Sequence, residues 1–148
     1  MGADNMRVLM TGVDPETRGG MWTVASGYLN SRAYREAVDV EYVATSTRYE
    51  ASAPAKLLRA VTSLSKVRRL LGGGKYDLVH AHMSERGSFF RVERIVQSAR
   101  WTGVPVVLHM HGGSFDSFYD EASEGLRKRI RKTLQAASRV IVLGSRFA

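Results

Sequence analysis

Cysteine is missing from the 148 residues of the chain. That absence excludes disulfide frameworks, thiolate nucleophiles and cysteine-ligated zinc, and it agrees with a reducing, cytoplasmic setting. Long apolar runs are missing too: nothing approaches the roughly 18 residues of a membrane-spanning helix. The opening "MGADNMRVLMTGVDPE" is not a secretory leader, because Arg7 interrupts its apolar run and Asp14 and Glu16 follow at once. There is no internal repeat and no low-complexity tract. Acid is locally absent as well. From Pro54 to Lys75 the chain carries six Lys or Arg residues and no Asp or Glu, and the whole chain has a formal net charge of +8.

The length suits one domain with a core of its own, and 44% hydrophobic residues is ordinary for a globule. Five β-type runs stand out: Met6–Gly12, Val40–Ser46, Tyr76–His82, Pro105–His111 and Arg139–Ser145. Most are nearly continuous in apolar residues, the pattern of strands covered on both faces. Segments of helical period lie between them, at Met21–Arg32, Pro54–Leu71, Arg86–Thr102 and Glu121–Ala137. The Gly72-Gly73-Gly74 run and Gly103 are placed to end the second and third helices. Strand alternating with helix predicts an α/β fold, a Rossmann-like doubly wound parallel sheet. The expected strand order is 2-1-3-4-5, with 3-2-1-4-5 as the other option. In both, ligands gather at the carboxyl ends of the strands.

That rule selects three loops. After the first strand comes "TGVDPETRGG", whose Gly19 and Gly20 precede a helix and allow a phosphate or substrate to approach the backbone. Neither a G-x-G-x-x-G nor a Gly-Lys-Ser/Thr pattern is present, so the loop is neither a dinucleotide fingerprint nor a Walker A loop. The third strand ends in "VHAHMSERGS", with His80 and His82; the fourth ends in "VVLHMHGGS", with His109 and His111. We expect the two histidines of each pair to point to opposite faces of their strand. The strand-end members, His82 and His111, are then the site candidates, and His80 and His109 belong to packing. On that facing at most one histidine from each strand can converge on a metal, and a site of His82, His111 and Asp116 is the weaker reading beside a metal-free one.

In order and spacing, "RVLMTGVDPETRGGMWTVASGYL", "YDLVHAH", "VPVVLHMHG" and "ASRVIVLGS" resemble the N-terminal half of retaining family 4 glycosyltransferases of the GT-B fold. The resemblance implies one half of a two-domain enzyme: residues 1–148 form the acceptor-side domain, and the C-terminal donor-binding domain is absent from this chain. It implies transfer of a hexose from a nucleotide-sugar donor to a glycan or lipid-linked acceptor with retained configuration, as in polysaccharide biosynthesis, with no cofactor and no metal required. His111 matches the histidine at the reaction centre and His82 a second one on the acceptor side. Gly19 and Gly20 match the loop that approaches the donor diphosphate, and Gly112, Gly113 and Ser114 complete the substrate-binding set. A non-catalytic nucleotide- or sugar-binding scaffold domain, working with a partner subunit, is the alternative.

The acid-free helix is expected to pack its leucine side on the sheet and hold its basic side in water. A face of one sign also suits anionic lipid headgroups. Lys56, Arg59, Lys66, Arg68 and Arg69 are therefore the expected contacts for the inner face of the cell membrane. Nucleic acid is not an expected partner, because no helix-turn-helix, zinc-finger or RNP-type pattern accompanies the charge.

Overall fold

In a computed structural model, described for residues 5–17, 19–47 and 51–144, the chain forms a five-stranded, all-parallel sheet of order β2-β1-β3-β4-β5. The strands are β1 (Met6–Gly12), β2 (Val38–Ala44), β3 (Leu78–Met83), β4 (Val106–Met110) and β5 (Arg139–Val142). The helices are α1 (Gly20–Asn30), α2 (Arg32–Ala37), α3 (Ala53–Gly72), α4 (Gly87–Thr102), α5 (Phe115–Asp120) and α6 (Glu124–Ala136). The first of the two expected strand orders is the one observed, and the Rossmann-like α/β class holds. Ser145, the last residue of the fifth expected strand, lies outside the described residues.

Local chemistry explains the boundaries. Ser31 stops α1 and caps α2, its hydroxyl accepting from the Tyr34 amide at 3.3 Å, so a short helix that was not expected follows the expected one. Gly103 closes α4 in the left-handed conformation at φ 74°, as its position predicts. Ser123 caps α6 through the Leu126 amide. The helix expected from Glu121 therefore starts three residues later, and a short α5 occupies the segment before it.

One face of the sheet carries the apolar core. Leu9, Val43, Val79, Ala81 and Leu108 pack there with Val67 and Leu71 of α3, Phe89, Ile95 and Ala99 of α4 and Ile130 of α6. The other face carries Val8, Met10 and all four histidines. Side chains alternate along a strand with a period of two, so residues i and i+2 share a face. This corrects the expected facing: His80 and His82 lie side by side, as do His109 and His111, with ring centroids 4.6 and 4.5 Å apart. The register sets His82 opposite His109 across the β3–β4 pair, so both strands deliver their imidazoles to one place.

The basic helix α3 departs from its expected packing. Val67 and Leu71 are buried, but Leu57, Leu58 and Val61 remain 67, 65 and 55% exposed. The reason is length. At 1.5 Å per residue the 20 residues of α3 span about 30 Å, whereas at about 3.3 Å per residue the seven residues of β2 span about 23 Å. The N-terminal turns of α3 therefore lack sheet beneath them. Leu71→Ala is expected to cost about 2–5 kcal/mol of stability. Leu58→Ala, at an exposed position, should stay within about 0.5 kcal/mol of wild type. Urea denaturation of the two variants measures the difference, and equal losses would show that the α3 N-terminus is packed after all.

Candidate active site at the carboxyl rim of the sheet

Chain reversal makes the site. The strand order turns between β1 and β3, and the loops that follow β1, β3 and β4 rise from the same edge of the sheet. Over this edge α1 brings Tyr28, whose ring lies edge-on to His80 at 5.2 Å and to His109 at 6.0 Å, and 6.4 Å from His82. The tyrosine closes the histidine face against water.

The four imidazoles form a two-by-two array. His80 Nε2 and His109 Nδ1 face each other at 3.3 Å, and His82 Nδ1 and His111 Nε2 at 2.7 Å. The ring planes of these pairs lie 5° and 32° apart, while His80 stacks on His82 and His109 on His111. His80, His82 and His109 are 5, 2 and 2% exposed, and His111, one residue past β4, is half-buried. The His111 amide donates to the Met83 carbonyl at 2.7 Å, which ties the rim of β4 to that of β3.

Burial sets the charge state. Desolvation first, then the neighbouring rings of His109 and His111, pushes His80 down to about 4. Desolvation, then the rings of His80, His111 and His109, pushes His82 to about 2. His111 falls to about 4 through desolvation and His109, and burial lowers His109 as well. All four are neutral at pH 7, each with one N–H and one lone pair.

The expected site residues divide clearly. His82 and His111 touch, and Gly112, Gly113 and Ser114 continue directly from His111 into α5. A Cβ at Gly112 would meet the Glu85 carboxylate, which would have to swing aside to make room. Gly19 caps α1 with φ 151°, a conformation that glycine adopts most easily, and among the described residues nothing lies within 4 Å of a Cβ placed there or at Gly20. Among the basic residues, Arg59 pairs with Asp14 at 3.1 Å and Lys66 with Glu41 at 3.3 Å, so acids from other elements partly neutralise the α3 face. A metal reading limited to one histidine per strand does not match the array. His80, His82 and His109 bring ring nitrogens within 4.8 Å of one another, although the facing nitrogens of His80 and His109 are already hydrogen-bonded.

Two features escaped the sequence. Glu85, in the turn between β3 and α4, holds Oε2 buried and unpartnered beside Gly112. Arg86, the N-cap of α4, has φ 56° and ψ −123°, a strained conformation for a residue with a Cβ. The signal available was the sequence "HMSERGS", where a run of polar residues begins two positions after His82.

Residues 7–148 match the family described as "Glycosyl transferase 4-like domain". The chain belongs to that family and is a glycosyltransferase family 4 N-terminal domain. Over 62 residues it is 40% identical to the UDP-Gal:alpha-D-GlcNAc-diphosphoundecaprenol alpha-1,3-galactosyltransferase of Escherichia coli. The matched stretch covers 41% of this chain and 15% of that enzyme.

The buried histidines make stability depend on pH. Their pKa values are lower in the folded chain than the 6.5 of a free imidazole, so below about pH 6.5 the unfolded chain binds protons that the folded one refuses. Stability is then complete above about pH 6.5 and falls as the pH drops toward 4. Each of His80 and His82 contributes a slope of up to about 1.4 kcal/mol per pH unit. Urea midpoints measured from pH 7 to pH 5, above the carboxylate range, should decline steadily, and a flat profile would show that the array accepts protons while folded.

Proposed function

We propose that this domain is the acceptor-side half of a two-domain, GT-B-type retaining glycosyltransferase. In this reading it transfers a hexosyl group from a nucleotide sugar to a glycan or lipid-linked acceptor. One observation carries the reading: in a glycosyl transferase 4-like domain, two strand-end histidines from different strands meet at 2.7 Å on the rim where a doubly wound sheet binds its ligands. The name of the Escherichia coli relative, with its UDP-linked sugar and diphosphoundecaprenol-linked acceptor, supports a nucleotide-sugar donor and a lipid-linked acceptor.

Each part of the site has a task in this scheme. As the glycosidic bond to the diphosphate breaks, positive charge grows on the sugar ring and negative charge on the leaving group. The open Gly19-Gly20 backbone and the α1 N-terminus face the negative charge with oriented N–H groups. His111, neutral and half-buried, orients the sugar rather than attacking it. Gly112 and Gly113 let the acceptor approach the same point. The cationic clamp on the diphosphate belongs to the second, donor-binding domain. The 148-residue chain alone should therefore give no turnover with a panel of nucleotide sugars and acceptors, and authentic product from it would overturn the two-domain reading. In an enzyme carrying both domains, His111→Ala should lower kcat far more than it raises the acceptor KM, because the contact strengthens in the transition state.

A lipid-linked acceptor also gives the basic helix a purpose. No described helix is long and apolar enough to cross a membrane. The N-terminal half of α3 instead exposes Leu57, Leu58 and Val61 on a helix that also carries Lys56, Arg68 and Arg69, a composition that lies on an anionic surface. The chain should sediment with anionic vesicles and release in 1 M salt, where the Debye length is about 3 Å. Arg68→Glu with Arg69→Glu should weaken binding. Equal sedimentation with neutral vesicles would remove the electrostatic part of this reading.

A further inference from the structure

Between α4 and α6, on the core side of the sheet, lies a cleft of about 390 Å³. Its floor is closed by Val96, Thr133 and Ala136, which are buried or half-buried. Its walls are basic. Arg94, Gln97 and Arg100 recur at every third residue of α4 and share one stripe, and Arg129 and Lys132 do the same on α6. Four cations thus line a gap whose one acid, among the described residues, is Glu93.

That acid is already engaged. Glu93 is 4% exposed, and its two oxygens accept from Arg129, one from Nε at 2.9 Å and the other from Nη2. The Arg129 guanidinium also lies 5.2 Å from the centre of the Phe90 ring, so it is held from two sides. Arg94, Arg100 and Lys132 make no ion pair with any described residue; Arg94 donates to Gln97 at 3.4 Å. Four cations against one carboxylate leave three positive charges without a counter-charge. Packed helices gain nothing from like charges around a shared gap, and a bound anion removes that repulsion.

We propose that the α4–α6 cleft is a binding site for a compact, phosphate-bearing anion, separate from the site at the rim. Guanidinium forks present paired N–H groups that match phosphate oxygens, and the lysine adds a point charge. The volume falls within the range of about 300–1,000 Å³ usual for small-molecule sites. Placement keeps the two sites apart. Helix α4 starts at the rim with Gly87, and Arg100 lies 13 residues further on, about 20 Å along the axis at 1.5 Å per residue. The phosphate belongs to a soluble molecule or to a lipid headgroup, and the chemistry of recognition is the same for both. None of this rests on the glycosyltransferase reading.

Inorganic pyrophosphate is the probe. Titrated into the 15N-labelled chain at pH 7 and low ionic strength, it should saturate one site and shift the amides of residues 93–100 and 129–136. It should also raise the thermal midpoint, because a ligand that binds only the folded chain stabilises it. Arg100→Gln with Lys132→Gln should weaken binding by about tenfold or more, through the loss of two charge-assisted contacts. Both side chains are exposed, and the melting curve without ligand checks that the variant folds; should it not, the wild-type shifts still decide. Arg68→Gln with Arg69→Gln removes the same charge from α3 and should leave the affinity within about twofold. Equal weakening by the two pairs would mean general attraction to a basic chain, and shifts confined to Gly20 and Met21 would put the anion at the rim. Either result overturns the proposal, as does a titration that never saturates. Vesicles containing phosphatidic acid then identify the source. If the Arg100→Gln, Lys132→Gln variant loses vesicle binding in step with pyrophosphate binding, the cleft takes a headgroup; if vesicle binding holds, it takes a soluble molecule.

Discussion

The register of one strand pair governs this site. β3 and β4 are paired so that His82 lies opposite His109, and the two-residue period of the pleat then places His80 and His111 on the same face. Slip that register by one residue and the β4 rings would turn into the core beside Ala81 and Met83, with Leu108 turned out of it. The slip is blocked because the opposite face of the same strands is fully apolar and sealed by α3, α4 and α6. The hydrophobic core therefore holds the polar array in place without touching it.

An array of four imidazoles in a dry environment is an unusual use of burial. Desolvation costs a histidinium much more than a neutral ring, so the core enforces neutrality, and neutrality allows the ring nitrogens to pair instead of repelling. Tyr28 extends the effect by covering the array from α1. Polarity then returns at the rim, where Glu85, the strained Arg86 and the Gly112-Gly113 turn surround His111. Strain and unpartnered polar atoms gathered at one edge of a well-packed sheet mark that edge as the working part of the domain.

The outer side of the molecule follows a different constraint. A helix longer than the strands it covers must leave part of its apolar stripe in solvent, and α3 does so at Leu57, Leu58 and Val61. The same helix has no acid of its own, and among the described residues Asp14 of the β1–α1 loop and Glu41 of β2 pair with its Arg59 and Lys66. Charge counted along the sequence therefore overstates the free charge on this face.

The sequence by itself determined the class of fold and the five strands, narrowed the strand order to two options and pointed to the rim as the candidate site; the structure chose between the two orders. These rest on local information: unbroken apolar runs, glycine stops such as Gly103, and the strand–helix alternation that forces parallel pairing. It also brought His82 and His111 forward through their place at strand ends. Only the tertiary structure decided that His80 and His109 join them, because neighbouring rings on separate strands depend on register, and register is a contact between segments about 30 residues apart in the chain. Glu85 stayed hidden for the same reason. Its neighbour Gly112 belongs to another loop, and no local pattern announces that a carboxylate will be buried against a glycine from elsewhere.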